Sequence, residues 1–251
     1  MDSPRHFLAR ALRRVARAVD SERGQPIDIS DDYVTWVCFA NAGMLNRGNL
    51  YCFDYALRNL PSTDPIVEIG SFCGLSTNLL VHYMRKHGAT NHLFTCDPWD
   101  FERSGLSSGE NLPGSPLSFV EYRNFVKETY VRNVQMFSRD HLPHSVECSS
   151  DEFFDAWRKK LRVRDVFGRD AELGGQISFC YVDGNHSEEF ARRDFDNCNE
   201  FLAPGGFVLF DDSAKGLPFH GVQRVVAEVS ASCRYEMVAC NPNHLFRKLA
   251  E

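Results

Sequence analysis

The sequence predicts an α/β fold in which helices cover both faces of a mostly parallel sheet. Residues 65–77 carry the clearest pattern, a buried strand that turns sharply through two glycines into a helix. Further apolar runs at 92–96, 177–182 and 207–210 each end in an aspartate, and strand patterns around 241–243 predict a terminal β-hairpin. Because parallel strands joined by crossover helices present their carboxyl ends at one edge, we expect the acidic strand ends to meet there.

Composition limits the classes of protein and partner. A chain of 251 residues with 43% hydrophobic and 25% charged residues can bury a substantial core, in one α/β domain or two small ones. Its 28 basic and 34 acidic residues give a net charge of −6, which disfavours nucleic acid as a partner. No apolar run approaches the length of a membrane span. Nine cysteines without a Cys-x-x-Cys pair indicate a reducing environment, so we expect a cytoplasmic protein.

An amphipathic helix is predicted at the start of the chain. Ser3-Pro4 has the pattern of an N-cap followed by a first-turn proline, and apolar residues then recur at helical spacing up to Val19, opposite an arginine-rich face. Such a helix would pack on the body of the protein or on a second subunit, which makes a homodimer one expectation. The alternative, a mitochondrial transit peptide, is opposed by Asp2, Asp20 and Glu22.

Two more helices are predicted before the first strand. Apolar residues recur at helical spacing over 33–60, with a break near 46–49. We expect residues 1–61 to form a helical cap that belongs to the same domain as the body, residues 62–251.

The turn after the first strand has the composition of a ligand site. Small residues let a ligand approach the backbone closely, and the first turn of the following helix offers free N–H groups to an anionic group. Glu68 at the strand end favours a ligand that also carries positive charge, and an amino acid moiety satisfies both demands. The candidate cofactor-binding residues here are Glu68, Gly70, Ser71, Phe72, Gly74 and Ser76. A strand–turn–helix unit without a ligand is the alternative.

The same segment, Glu68-Ile69-Gly70-Ser71-Phe72-Cys73-Gly74-Leu75-Ser76, resembles motif I of the class I S-adenosylmethionine-dependent methyltransferases, in the form found in catechol O-methyltransferase and its relatives. The resemblance extends over roughly residues 62–250. It implies a Rossmann-like, doubly wound sheet of seven strands with an antiparallel terminal hairpin strand, and S-adenosylmethionine as the cofactor. Phe72 stands where a dinucleotide-binding turn has its middle glycine, which opposes a nicotinamide-dependent oxidoreductase.

Other cofactor contacts are expected at later strand ends. Asp97 follows the second strand at the position where an acid accepts hydrogen bonds from ribose hydroxyls, with capping of the turn before Pro98 as the alternative. The resemblance places Ser149 and Ser150 beside the adenine, and N-capping of the next helix is possible as well. Residues 98–118 form a long loop rich in turn residues, which predicts an active-site lid or, alternatively, a disordered insertion.

Three carboxylates are expected to converge where the later strands end. Asp183, Asp211 and Asp212 cannot lie together unscreened, so they either raise one another's pKa or recruit a cation, and oxygen ligands select Mg²⁺, Mn²⁺ or Ca²⁺. Catechol O-methyltransferase and the macrolide-sugar (macrocin-type) O-methyltransferases have metal ligands at these strand ends, and the resemblance implies the same for all three residues, with Asp183 also near the cofactor. Capping of the strand ends is the alternative.

His186 is the remaining titratable candidate at this edge. Its imidazole could remove the substrate proton, orient a metal ligand, or cap the helix that begins at Ser187, and Lys215 is a further possible base. Asp183 and His186 are thus the expected catalytic groups. The resemblance implies divalent-metal-dependent methyl transfer to a hydroxyl of a small molecule, a sugar diol or a catechol-like acceptor. A metal-independent class I methyltransferase and a cofactor-binding, non-catalytic scaffold remain alternatives.

Overall fold

The structure is a computed structural model that describes residues 29–101 and 111–250. The predicted helix at 3–19, with its expected subunit contact, and the centre of the predicted lid loop at 102–110 lie outside the described residues. The helices, in chain order, are α1 (Asp32–Ala40), α2 (Asn49–Arg58), α3 (Leu75–His87), α4 (Phe119–Phe137), α5 (Ser150–Arg158), α6 (Glu188–Phe201) and α7 (His220–Ala231). The strands are β1 (Ile66–Ile69), β2 (Leu93–Cys96), β3 (His144–Val146), β4 (Arg162–Arg164), β5 (Asp170–Glu172), β6 (Ile177–Val182), β7 (Leu202–Phe210), β8 (Tyr235–Cys240) and β9 (His244–Lys248).

One seven-stranded sheet, in the order β3-β2-β1-β6-β7-β9-β8, organises the described residues. The pairs from β3 to β7 are parallel, whereas β9 runs antiparallel to both β7 and β8. The predicted mostly parallel sheet with an antiparallel terminal hairpin is therefore confirmed. Chain order reverses between β1 and β6, and ligands of such sheets bind in the crevice at the carboxyl ends of the strands at this point.

Alternating side chains of the central strands supply a core on each face of the sheet. Val67 and Val182 face a cluster with α5, α6 and α7, while Ile66 and Tyr181 face a cluster with α1, α2 and α3. The two helices before β1 thus share a core with the sheet. Residues 41–48 separate these helices, which agrees with the predicted break near 46–49. The domain division at residue 61 stays a prediction. Within the described parts of the chain, no helix is both long enough and apolar enough to cross a membrane.

Some elements differ from the expected ones. The last parallel strand begins at Leu202 and runs through Pro204-Gly205-Gly206, with a register shift against β6 between Ile177 and Phe179. The sequence also predicts a strand around Val146-Glu147-Cys148, whereas the observed β3 ends at Val146. The hairpin of β4 and β5 had no signal in the sequence because its strands are short, polar and mostly exposed.

Candidate active site

The glycine turn after β1 brings two neighbouring strand ends into contact. Gly70 has φ +83°, and a Cβ placed on it would lie 2.0 Å from the carbonyl oxygen of Asp183, the residue that follows β6. Gly74 has φ +86° and begins α3, where a Cβ would lie 2.9 Å from Val134. Only glycine fits such left-handed, closely packed positions without displacement of its neighbours. The turn therefore stands directly against the end of β6, as expected from the strand order.

Glu68 is a fully buried acid beneath this turn. Its Oε2 accepts a 2.5 Å hydrogen bond from the Thr77 hydroxyl, whereas its Oε1 has no hydrogen-bond partner among the described residues. Burial raises the pKa of Glu68 to about 7, although the nearby hydroxyls of Ser76, Thr77 and Ser71 oppose the shift. The buried Ser71 Oγ also lacks a partner within the described chain. Two orphaned polar atoms at one turn fit a ligand with complementary polar groups, and an amino acid moiety offers both an ammonium and a carboxylate.

Asp97 contacts the same turn from the end of β2. Its Oδ2 accepts hydrogen bonds from the backbone N–H groups of Ser71 at 2.8 Å and Phe72 at 2.9 Å, and its Oδ1 accepts one from Trp99 at 2.7 Å. Burial raises the pKa of Asp97, and these backbone hydrogen bonds counteract the shift. The turn-capping alternative is thus realised, and the ribose contact stays a prediction. A carboxylate has about four acceptor positions, so these three hydrogen bonds leave one position on Asp97 open.

Ser149 and Ser150 are occupied by contacts within the fold. Ser149 forms a capping box at the start of α5 with Glu152, and the Ser150 hydroxyl donates a short hydrogen bond to Asp194 of α6. The Ser149 hydroxyl therefore caps α5, as the capping alternative expects, whereas the Ser150 hydroxyl joins the start of α5 to the middle of α6. A place beside the adenine stays a prediction for both.

Asp183, His186 and Asp212 form a partly exposed cluster at the carboxyl ends of β6 and β7. One ligand atom from each lies within 4.8 Å of the others. His186 Nε2 is 2.7 Å from Asp212 Oδ2, but the two atoms lack the alignment of a hydrogen bond. Burial raises the pKa of Asp183 well above its usual range, and the charges of Asp211 and Asp212 add to the effect. Two carboxylates and an imidazole are a donor set that fits a divalent cation.

Asp211 is held by contacts within the fold, and its expected role as a metal ligand stays a prediction. It is 5% exposed, and its Oδ1 accepts hydrogen bonds from Asn49 Nδ2 at 2.9 Å, from the Asp212 N–H at 2.8 Å and, at shorter range, from Asn243 Nδ2. Its Oδ2 accepts one from the Tyr181 hydroxyl at 2.5 Å. These donors saturate Oδ1 and occupy one of the two acceptor positions of Oδ2, and the cluster of neighbouring ligand groups is formed by Asp183, His186 and Asp212. His186 therefore takes the third place in the cluster.

Tyr181, Asn49 and Asn243 were missed by the sequence analysis. Each lies in a segment whose sequence pattern predicts a structural element and no site. Tyr181 lies in a buried strand, Asn49 at the break between two helices, and Asn243 in a hairpin turn. No motif marks them, because they meet only when α2, β6 and the β8–β9 turn come together in the fold.

Backbone strain gathers at the same edge. Four described non-glycine residues have a left-handed φ, and three of them lie here: Phe72 at 44°, Trp99 at 48° and Asp212 at 52°. Such conformations cost free energy and concentrate at functional sites. The left-handed turn at Asp212 directs its side chain to His186, whereas the side chain of Asp211 remains in the interior.

The comparisons with known proteins agree with this fold. A family model described as a methyltransferase domain matches residues 67–213, more than half of the chain. The fold is similar to that of the S-adenosylhomocysteine-bound methyltransferase PaMTH1 from Podospora anserina, with a TM-score of 0.54, 12% identity and 96% of each chain covered. It is also similar to the O-methyltransferase from Bacillus cereus in complex with S-adenosylhomocysteine, with a TM-score of 0.52, 10% identity and coverage of 89% of this chain and 93% of that chain.

A third solved structure, the O-methyltransferase TomG from Streptomyces achromogenes, involved in tomaymycin synthesis and in complex with S-adenosylmethionine, has a TM-score of 0.51, 14% identity and coverage of 89% of this chain and 92% of that chain. At such identities the similarity concerns the fold. Together with the family model, it means that the chain belongs to the methyltransferase-domain family and is built on the fold of the class I S-adenosylmethionine-dependent methyltransferases.

Proposed function

We propose that this protein transfers the methyl group of S-adenosylmethionine to a hydroxyl oxygen of a small molecule, with a divalent cation at Asp183, His186 and Asp212. The observation that carries the proposal is the contact between the glycine turn and the end of β6, where Gly70 faces the Asp183 carbonyl oxygen. Methyl donor and acceptor must be collinear and adjacent for an in-line displacement, and this contact brings a cofactor turn and a polar cluster side by side.

The cofactor half of the proposal depends on the turn. Glu68 Oε1 and Ser71 Oγ would bind the amino acid moiety of the cofactor, because both are buried and otherwise unpaired within the described chain. Asp97 holds the turn in shape through the N–H groups of Ser71 and Phe72, and its remaining acceptor position would take a ribose hydroxyl. S-adenosylmethionine supplies the electrophilic methyl group when bound.

The acceptor half depends on the cluster beside it. A divalent cation bound there would supply Lewis-acid chemistry, which lowers the pKa of the acceptor hydroxyl. Asp183, Asp212 and His186 would hold it and leave positions for the acceptor. The imidazole favours Mn²⁺ over Ca²⁺, while Mg²⁺ remains compatible with the two carboxylates. A vicinal diol, as in a sugar or a catechol, can chelate such a cation through both oxygens, which is why we favour these acceptors.

A metal-independent reaction is the second candidate, and the short distance between His186 and Asp212 favours it. Asp212 would orient the imidazole, and the other ring nitrogen would accept the proton of the acceptor hydroxyl. The missing hydrogen-bond alignment in this pair favours the shared cation instead. A non-catalytic scaffold would bind the cofactor without turnover.

Two measurements test the proposal. Calorimetric titration should detect binding of S-adenosylhomocysteine and none of NAD⁺, and the reverse result would refute the cofactor assignment. Transfer of a labelled methyl group to catechol or to a methyl glycoside with a vicinal diol should stop in EDTA and return with Mn²⁺ or Mg²⁺. Transfer that continues in EDTA would support the metal-independent candidate. Binding of the cofactor without any transfer across such acceptors would support the scaffold.

A further inference from the structure

We propose that Tyr181 is a positioning residue that fixes the carboxylate of Asp183. In this proposal, a network of Asp211, Asn49 and Asn243 holds the hydroxyl of Tyr181 in place. This inference rests on the proposed function, because it assigns a role toward the cation cluster. It replaces the expected ligand role of Asp211 with an indirect one.

Tyr181 is placed for this role by the sheet. It lies in β6 two residues before Asp183, so its fully buried side chain and that of Asp183 stand on the same face of the strand. Its ring packs edge-on against Phe53 of α2, with ring centroids 5.0 Å apart. Its hydroxyl oxygen is 2.5 Å from Asp211 Oδ2 and 3.3 Å from Asp183 Oδ2. The hydroxyl has one proton, so the short contact with Asp211 is the main hydrogen bond and the longer one with Asp183 is the weaker branch of a three-centre hydrogen bond.

Asp183 has few other restraints. Within the described residues, the contact with Tyr181 is its single side-chain hydrogen bond. The orientation of the carboxylate thus depends on where the Tyr181 hydroxyl stands. A contact that holds Oδ2 also sets how the carboxylate as a whole is presented to His186 and Asp212. Residues that orient the ligands of a metal in this way tune affinity and activity without touching the metal.

The Tyr181 hydroxyl is in turn fixed by Asp211. Asn49 and Asn243 both donate to Asp211 Oδ1, and Asn243 Nδ2 also donates to Asn49 Oδ1 at 2.9 Å. The Asn243 Oδ1 accepts from the Ala214 N–H at 3.1 Å. Because each amide is bonded on both sides, the network has one arrangement, and buried networks satisfied in this way hold their members rigidly.

The two asparagines join elements that are distant in sequence. Asn49 begins α2 and Asn243 lies in the β8–β9 turn, and the backbones of these segments meet next to them, where a Cβ on Gly48 would lie 1.8 Å from the Asn241 carbonyl oxygen. The helices before β1 and the terminal hairpin thus both act on Asp211. The end of β7, where Asp211 and Asp212 follow the strand, is therefore positioned from two sides.

Mn²⁺ binding by the whole protein, followed by electron paramagnetic resonance, tests the proposal. Tyr181→Phe should weaken Mn²⁺ binding by about 10- to 100-fold and leave the dissociation constant of S-adenosylhomocysteine within about twofold. Tyr235→Phe is the matched control, because it also removes a buried tyrosine hydroxyl with a 2.7 Å hydrogen bond, to Asn199 of α6. The control should alter neither affinity.

A second variant covers the case in which Tyr181→Phe does not fold. Asn49→Ser shortens one donor to Asp211 and leaves the cluster residues intact, and we expect a smaller loss of Mn²⁺ affinity with unchanged S-adenosylhomocysteine binding. Mn²⁺ binding within about twofold of the wild type by Tyr181→Phe, or by Asn49→Ser if Tyr181→Phe does not fold, would overturn the positioning role alone. A wild-type protein that does not bind Mn²⁺ would overturn the cation in the proposed function and, with it, this inference.

Discussion

Replacement of Glu68 by glutamine should make the protein more stable in mildly alkaline solution and weaken cofactor binding. Glu68 is fully buried, and its pKa rises from 4.5 to about 7 on folding. The folded state therefore holds a proton that the unfolded state releases, so the free energy of unfolding falls as pH rises from 4.5 through about 7. The shift corresponds to about 3 kcal/mol, lost in full at pH 8.

Glutamine resembles the protonated acid in shape and has no charge to bury. Urea denaturation at pH 5 and pH 8 should show that the free energy of unfolding declines between these values in the wild type by about 2.5 kcal/mol more than in Glu68→Gln, because part of the loss has already occurred at pH 5. Asp194→Asn is a suitable comparison. Burial raises the pKa of Asp194 from 3.8 to about 6, so the pH range over which it lowers the stability of the fold lies below that of Glu68. Asp194 belongs to α6 rather than to the glycine turn.

Cofactor binding gives the second half of this test. An ammonium group at Glu68 favours the ionised carboxylate, so the wild type should bind S-adenosylhomocysteine about tenfold more tightly at pH 8 than at pH 6. The glutamine variant should bind more weakly and lose this dependence, while Asp194→Asn should bind as the wild type does. Parallel pH profiles for wild type and Glu68→Gln, with equal affinity, would refute the reasoning.

Three further substitutions separate structural from ligand contacts. Gly70→Ala should abolish S-adenosylhomocysteine binding and, in urea denaturation, lower the free energy of unfolding by well over the roughly 1 kcal/mol expected for Gly88→Ala. Both sites have positive φ, but only at Gly70 would a Cβ meet a carbonyl oxygen, that of Asp183. Equal losses in the two variants would contradict the contact. Asp97→Asn should destabilise the turn by about 1–3 kcal/mol, since an amide cannot accept all three backbone N–H groups, and calorimetry should show weaker cofactor binding. Ser149→Ala should cost about 1 kcal/mol in thermal denaturation through its capping box with unchanged cofactor affinity, and a large loss of affinity would instead support the adenine contact.

The parts of the fold that follow from local chemistry could be predicted from the sequence. The buried strands carry near-continuous apolar runs, the helix starts carry Ser118 and Ser149 capping boxes, and α3 ends at Gly88 in a left-handed conformation. The β4–β5 hairpin and the early start of β7 could not, because neither depends on an apolar pattern. Strand β7 continues through Pro204, which a sequence rule assigns to a turn.

The candidate site was predictable to the level of strand ends. Parallel topology was enough to bring Glu68, Asp97, Asp183 and Asp211-Asp212 to one edge. It could not decide which of the adjacent aspartates faces the crevice, because that depends on the left-handed φ of 52° at Asp212. Nor could it find Asn49 or Asn243, whose donors reach Asp211 from other parts of the fold.

The number of hydrogen-bond donors around each carboxylate separates the acids of this edge into two groups. Asp97 accepts three hydrogen bonds and Asp211 accepts four, and both shape the backbone or the side chains around them. Glu68 and Asp183 accept one each, and Asp212 accepts none from the described residues. A buried or half-buried carboxylate with few donors destabilises the fold unless a ligand completes it. The second group is therefore where the amino acid moiety of the cofactor and the cation would bind. In the first group, Asp97 keeps one acceptor position for a ribose hydroxyl, and Asp211 shows that an acid at a strand end need not be a ligand.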